Sequence, residues 1–259
     1  MITITLPSND KKQYDKPVTS SEIANDISEK LKSDALVSVV NGELWDLDRP
    51  IEVDSKIAIL TKKNKETLDV IRHDAAHIMA EAVLELFPET QVTIGPSVEN
   101  GFYYDFYREK KFILSDLEII EKRMHEIVDR DETISREIWS REEAIDHFKK
   151  NNEKFKLELV KAIPEDETVT FYRQGKFLDL CRGPHTCSTK KLGHSFKLTK
   201  LAGSYWRGDS KNQVLQRIYG TAFFNDKDLK DYLFMIEEAE KRDHRKLGKE
   251  LNLFHLQEE

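Results

Sequence analysis

The sequence is short of several things. It has two cysteines, Cys181 and Cys187, in 259 residues. That is too few for the disulfide framework of a small secreted domain and fits a reducing cytosol. Ten glycines and seven prolines exclude collagen-like and low-complexity chains. No stretch approaches the roughly 18 uninterrupted apolar residues of a membrane-spanning helix, so no membrane partner is expected. The N-terminus, MITITLPSNDKKQYDK, alternates and then turns charged, with no basic lead before an apolar run; no secretory leader is read there. Surplus positive charge is lacking too: 41 Lys and Arg face 48 Asp and Glu, a net charge of −7. That excludes a general nucleic-acid coat and leaves DNA off the list of expected partners. Contact with RNA would need a local basic face or help from a further part of the protein. What the chain does have is 39% apolar residues, enough for a packed core in one large or two smaller domains.

Residues 1–62 read as a small unit. Ile2, Ile4 and Leu6 alternate with polar residues as in a half-buried strand. Thr19-Ser20-Ser21-Glu22 opens a helix with Ile23, Ala24, Ile27 and Leu31 at helical spacing. Leu36 to Val40 is a strand, Asn41-Gly42 a tight hairpin turn, and Ile57 to Leu60 a closing strand. A β-grasp (ubiquitin-like) module is expected, with no catalytic cluster in it. A polar linker, Thr61 to Lys65, leads to a long helix from about Glu66 to Phe87, stopped by Pro88. Hairpin strands follow around Asn100-Gly101, then a helix capped by Ser115 and running to about Asp129, a strand from Thr133 to Trp139, a short helix from Arg141 to Lys150, and strands at 169–172, 177–180, 196–198 and 216–219. From Asp226 the pattern is helical again. Helices mixed irregularly with short strands predict an α+β fold, divided as residues 1–62, 63–225 and 226–259. From Asp243 to Phe254 a new amphipathic pattern starts and stops, as expected at the entry to a further domain.

His73 and His77 stand four apart on the long helix and share one face. Asp179-Leu180-Cys181-Arg182-Gly183-Pro184-His185 supplies a thiol and a third imidazole across a turn. His73, His77, Cys181 and His185 together are the ligand set of a tetrahedral zinc site. The same four groups can instead bind a polar substrate and steer a water without metal. Composition does not choose between these. Cys187 reads as a small apolar residue.

Five motifs in order carry a resemblance: H-x-x-x-H on a helix, G-F-Y-Y-D-F, D-L-C-R-G-P-H, A-G-S-Y-W-R-G-D, and L-Q-R-I-Y-G-T-A-F-F. Together they resemble the N-terminal half of the bacterial threonyl-tRNA synthetase family. The likeness runs over the whole chain, as a TGS module, a proofreading domain and a linker helix; the D-H-R-K-L-G-K-E-L segment resembles the entry to the class II catalytic domain. Related alanyl-tRNA editing proteins share the His and Cys motifs but not the preceding TGS module. One departure is Asp74, where the family more often has Ser or Thr. A carboxylate there can raise the pKa of a neighbouring imidazole, or point away from it.

The resemblance implies hydrolysis of the ester joining serine to the 3′ end of tRNA(Thr). Serine and threonine differ by one methyl, which a pocket rejects by only about 1–3 kcal/mol, so a second site is needed. It implies His73, His77, Lys156, Cys181 and His185 as the catalytic set. Tyr104 then serves as a wall against threonine's methyl, and Asp179 with Arg182 as substrate contacts. Lys197, Lys200, Arg207, Lys211 and Arg217 are candidates for tRNA phosphates, or else ordinary surface charges. No metal or other cofactor is expected in this part. ATP, Mg and the ligase's own zinc would lie beyond Glu259, as would the homodimer interface. Competing readings are a binding module with no activity and a zinc-dependent ester hydrolase. A cytoplasmic protein is expected.

Overall fold

The structure is a computed structural model and describes residues 1–242; the amphipathic segment from Asp243 lies outside the described residues. The first unit holds strands Ile2–Thr5 (β1), Lys11–Tyr14 (β2), Val18–Thr19 (β3), Ala35–Val40 (β4), Glu43–Trp45 (β5), Pro50–Ile51 (β6) and Ser55–Thr61 (β7). Two short helices, Ser20–Ile27 (α1) and Glu29–Asp34 (α2), lie between β3 and β4. The main sheet has the order β2-β1-β7-β4-β5, with β1 and β7 parallel.

Alternation in β1 puts Ile2 and Ile4 on one face, where they join Val18, Ile23, Val40, Ile51 and Ile57 in a core. Thr19 caps α1 reciprocally: its Oγ1 accepts the Glu22 N–H at 3.1 Å, and the Glu22 carboxylate accepts the Thr19 N–H at 2.8 Å. Such a cap contributes about 1 kcal/mol. The single helix expected through Leu31 is broken at Ser28. That residue is extended, and its hydroxyl accepts the Leu31 N–H to start α2. Asn41 and Gly42 turn the chain between β4 and β5 with φ of +51° and +93°, the conformation the Asn-Gly pair accommodates.

The second unit is built on the helix Thr67–Leu86 (α3), fourteen of whose twenty residues are buried. A helix enclosed on nearly all sides has no solvent face to spare, so its polar residues must find partners inside. Next come Gln91–Val92 (β8), Ser97–Val98 (β9), Gly101–Tyr107 (β10) and the helix Leu114–Arg130 (α4). Ser115 lies inside α4 rather than capping it; the Asp116 carboxylate instead accepts the Ile113 N–H at 2.9 Å. Ile134–Trp139 (β11), Arg141–Lys150 (α5), Lys154–Ala162 (α6), Val169–Gln174 (β12), Phe177–Leu180 (β13), Phe196–Tyr205 (β14), Val214–Ala222 (β15) and Asp226–Lys241 (α7) complete the described chain.

Strands β14-β15-β10-β8, with β9 on β10, form one sheet, and β11-β12-β13 a second. Ile71, Ile78 and Met79 of α3, Ile120 and Met124 of α4, and Phe102, Phe106 and Ile218 of the larger sheet share one core. Each such side chain contributes about 1.5–3 kcal/mol on burial. The smaller sheet packs Val169 and Phe171 against Ala144 and Phe148 of α5 and Val160 of α6. Strand β13 therefore ends beside α3, where the two layers meet. Among the described residues no helix is long and apolar enough to cross a membrane.

Candidate active site

Helical spacing sets His73 and His77 on one face of α3, their ring centres 4.9 Å apart. Strand β13 delivers Cys181 to the same place. Gly183, at φ +71°, turns the chain back so that His185 packs 4.4 Å from the His73 ring and 4.3 Å from the His77 ring. A Cβ at Gly183 would sit 1.9 Å from the Tyr172 hydroxyl, so this turn needs glycine for both reasons. Cys181 Sγ lies 3.4 Å from His73 Nε2 and 3.3 Å from His185 Nε2, and it accepts the Gly183 N–H.

Beside this cluster runs a second polar group. Asp179, inward-facing on β13 and buried, accepts the Tyr104 O–H at 2.6 Å and is ion-paired with the buried Lys156. Lys156 Nζ also donates to the Tyr104 oxygen at 3.2 Å. His77 Nε2 is 3.7 Å from Asp179 Oδ2 and ties the two groups together. Lys156 is inside because it shares a face of α6 with the buried Val160, four residues on, while Phe155 anchors the helix against Trp206 and Leu215. Asp74 points inward as well. Its Oδ1 meets His185 Nδ1 at 2.7 Å and its Oδ2 accepts the Thr186 hydroxyl. Burial of α3 around most of its circumference is why a residue one step from His73 still reaches the site.

These surroundings separate the imidazoles electrically. Burial, and then the charge on His185, pushes His73 and His77 well below the usual histidine range. Burial acts the same way on His185, but the Cys181 sulfur and the Asp74 carboxylate outweigh it and lift His185 to about 10. Two neutral rings able to accept a proton thus stand against one charged ring able to donate. Burial and Asp179 push Tyr104 well above its usual value, so it stays a phenol.

The four donor atoms of His73, His77, Cys181 and His185 all lie within 4.8 Å of one another. The two thiol–imidazole separations are near the roughly 3.5 Å edge of a tetrahedron built from zinc–ligand bonds of about 2.3 and 2.0 Å. Asp74 on His185 Nδ1 is also the partner a metal-bound histidine usually has. The donor set therefore fits a zinc ion.

Arg182 makes no contact within the His/Cys cluster but lines the cleft that Cys181 also lines. Its side chain is 81% exposed and pairs with Glu167 at 2.6 Å. Of the five basic residues, Arg217 is bound to Asp105 through two contacts of 2.7 and 2.8 Å and lies over Tyr103. Lys197 pairs with Glu121, and Arg207 approaches Glu158 at 3.9 Å. Lys200 and Lys211 have no carboxylate partner among the described residues. Sequence reasoning missed Asp46, Tyr172 and Thr186. Asp46 lies in the first unit, between β5 and β6, yet accepts the His185 backbone N–H at 2.9 Å. No local motif marks it. Two clefts flank the Cys181–His185 loop. One, of about 230 Å³, includes Asp46, Tyr172 and His185; the other, of about 300 Å³, includes Thr170, Leu180 and Cys181.

Known families match both units. A TGS domain profile matches residues 2–61, and a profile described as "Threonyl and Alanyl tRNA synthetase second additional domain" matches residues 169–219. Threonine–tRNA ligases of Rickettsia bellii and Paramagnetospirillum magneticum are each 57% identical over all of this chain. That of Maricaulis maris is 55% identical. The chain is related throughout to the N-terminal region of the threonyl-tRNA synthetases. It spans about two fifths of the length of these curated relatives, 41% for the first two and 40% for the third. The β-grasp unit is thus a TGS domain, and the α+β unit carrying the His/Cys cluster is the editing-type domain.

Proposed function

We propose that the editing-type domain hydrolyses seryl-tRNA(Thr) at the ester to the terminal ribose. The observation that carries this reading is the meeting of three imidazoles and the Cys181 sulfur beside a buried Lys–Asp–Tyr group. Ester hydrolysis needs a positioned water, an acceptor for its proton and a donor for the developing oxyanion. His73 is partly exposed and takes the water's proton; His185, held charged, faces the oxyanion. Lys156 offsets the charge of Asp179, which lies next to His77 and is placed to receive the seryl ammonium. Tyr104 cannot swing aside, because its hydroxyl is fixed by Asp179 and Lys156 and its ring is buried. That rigid ring is the wall against threonine's extra methyl.

The tRNA itself is the partner, reached through Lys200 and Lys211 and, after breaking their ion pairs, Lys197, Arg207 and Arg217. With three of those five side chains held by carboxylates and a net charge of −7, this chain alone binds tRNA weakly, with affinity falling steeply as salt rises. Ligation of threonine with ATP, Mg and zinc, and pairing into a homodimer, belong on this reading to the part of the relatives that the chain does not span.

The chemistry above needs no metal. A zinc ion on His73, His77, Cys181 and His185 is a second reading, favoured by the thiol–imidazole separations. Single-turnover deacylation tests the main reading. Seryl-tRNA(Thr) is expected to react about 10–100-fold faster than threonyl-tRNA(Thr), the range one methyl allows. Absence of hydrolysis with either would leave a binding module. Metal analysis of protein prepared without added zinc separates the two chemistries: activity with no bound metal supports the first, and one zinc per chain whose removal abolishes activity supports the second.

A further inference from the structure

The loop from Cys181 to Thr186 is gripped by two carboxylates, and one belongs to the other domain. On the inner side Asp74 holds the His185 ring and the Thr186 hydroxyl. On the outer side Asp46 of the TGS domain accepts the His185 main-chain N–H through Oδ1 at 2.9 Å. Its two oxygens also accept the Tyr172 O–H, at 3.0 and 2.8 Å. Tyr172 is buried, its ring centre is 4.4 Å from that of His185, and its hydroxyl packs where a side chain at Gly183 would be. Asp46 therefore clamps both walls of the turn, the His185 backbone directly and Gly183 through Tyr172.

From this we infer that Asp46 is a positioning residue for the hydrolytic centre, and that the TGS domain thereby completes that centre. The inference rests on the hydrolytic reading above. Asp46 meets His185 only at its main-chain N–H. It holds the main chain that carries the ring, whereas Asp74 is bonded to the ring itself. Without the Asp46 carboxylate an amide N–H and a phenol lose their acceptor, and the loop is held from one side only. Misplacement of a reacting group by about 1 Å costs up to about 100-fold in rate.

The test compares Asp46→Ala and Asp46→Asn in the 259-residue chain. Amide hydrogen exchange is followed over residues 181–187, and single-turnover hydrolysis of seryl-tRNA over a range of enzyme concentrations. The alanine variant is expected to speed exchange at 181–187 about tenfold or more. It should lower the maximal rate about 10–100-fold and leave the half-saturating concentration within about twofold. Asparagine still offers a carbonyl to the His185 N–H and an amide N–H to the Tyr172 oxygen, so it restores both readouts to within about threefold. Unchanged exchange at 181–187 in Asp46→Ala would overturn the inference. So would equal rate losses in both variants, since that result assigns the effect to charge. Should the alanine change loosen β4 and β7 of the TGS domain itself, Tyr172→Phe decides: faster exchange at 181–187 supports the clamp and unchanged exchange refutes it. Wild-type protein that leaves seryl-tRNA intact would remove the hydrolytic reading, and the exchange arm would still decide whether Asp46 holds the loop.

Discussion

Between residues 1 and 62 the buried polar side chains are three serines, Ser20, Ser38 and Ser55, whereas the editing-type domain encloses Arg72, Asp74, His77, Glu81, Asp105, Lys156, Asp179 and His185. Both regions are held by apolar cores. Only one also takes charge out of water, which costs several kcal/mol per ion unless partners repay it. In the TGS domain the buried hydroxyls satisfy each other cheaply, as where Ser20 Oγ donates to Ser38 Oγ at 2.8 Å. In the editing-type domain Asp74, His77, Lys156, Asp179 and His185 gather on α3, α6, β13 and the loop after it, around the His/Cys group, while Arg72, Glu81 and Asp105 meet Asp69, Gln174 and Arg217 elsewhere. Five buried ionisable groups gathered at one place are what the hydrolytic proposal rests on, and the TGS domain has no such gathering among its buried residues.

The sharpest way to break this contrast is to remove one member of a buried pair. Lys156→Met takes from the buried Asp179 its ion-pair partner and leaves it the Tyr104 hydroxyl, and should cost about 3–5 kcal/mol of stability in the editing-type domain, read by denaturant unfolding. Adding Asp179→Leu should recover most of that stability while hydrolysis stays lost. If the double variant is as unstable as the single, the pair serves the fold and the contrast fails.

A smaller effect is expected at Glu81, on the opposite half of α3. Burial, reinforced by Glu132 and opposed by its hydrogen bond from Gln174, raises its carboxyl to about 8. The folded state thus holds a proton that an unfolded chain releases near 4.5. The stability tied to that proton is fully present below about 4.5 and is lost as pH rises through about 8. Glu81→Gln should match the wild type near pH 4 and exceed it by roughly 1–3 kcal/mol at pH 9. Parallel stability curves across that window would show that Glu81 titrates normally. The smallest effect is expected in the TGS domain. Ser38→Ala removes two neutral hydrogen bonds, the one from Ser20 and the one to the Trp45 carbonyl, costs about 1–2 kcal/mol and leaves seryl-tRNA hydrolysis unchanged; a loss of hydrolysis there would blur the distinction between the two regions.

The same contrast explains what could be read from sequence. Period-two alternation in β1, the Thr19–Glu22 cap and the Asn41-Gly42 turn are local signals, and local structure follows them. The His73/His77 pair and the Cys181 to His185 turn were visible because short spacings on a helix and a Gly-Pro turn fix which side chains meet. Lys156 was harder: a lysine between Phe155 and Leu157 reads as a solvated helix residue unless the face of α6 that it shares with the buried Val160 is known to pack inward. Asp74 stood between two readings until the burial of α3 around most of its circumference left it no solvent to face. Asp46 left no trace at all. Its partners, Tyr172 and His185, lie 126 and 139 residues away, and only the docking of one domain on the other brings them within reach.

His73 is where the account is most exposed, because its partly accessible, neutral ring is given the water's proton. Single-turnover hydrolysis of seryl-tRNA(Thr) by His73→Ala should be slower than wild type by about 10²–10⁴-fold, the range for loss of a general base, with the unfolding transition of the TGS domain unmoved. A His73→Ala chain that clears seryl-tRNA(Thr) at the wild-type rate would contradict it.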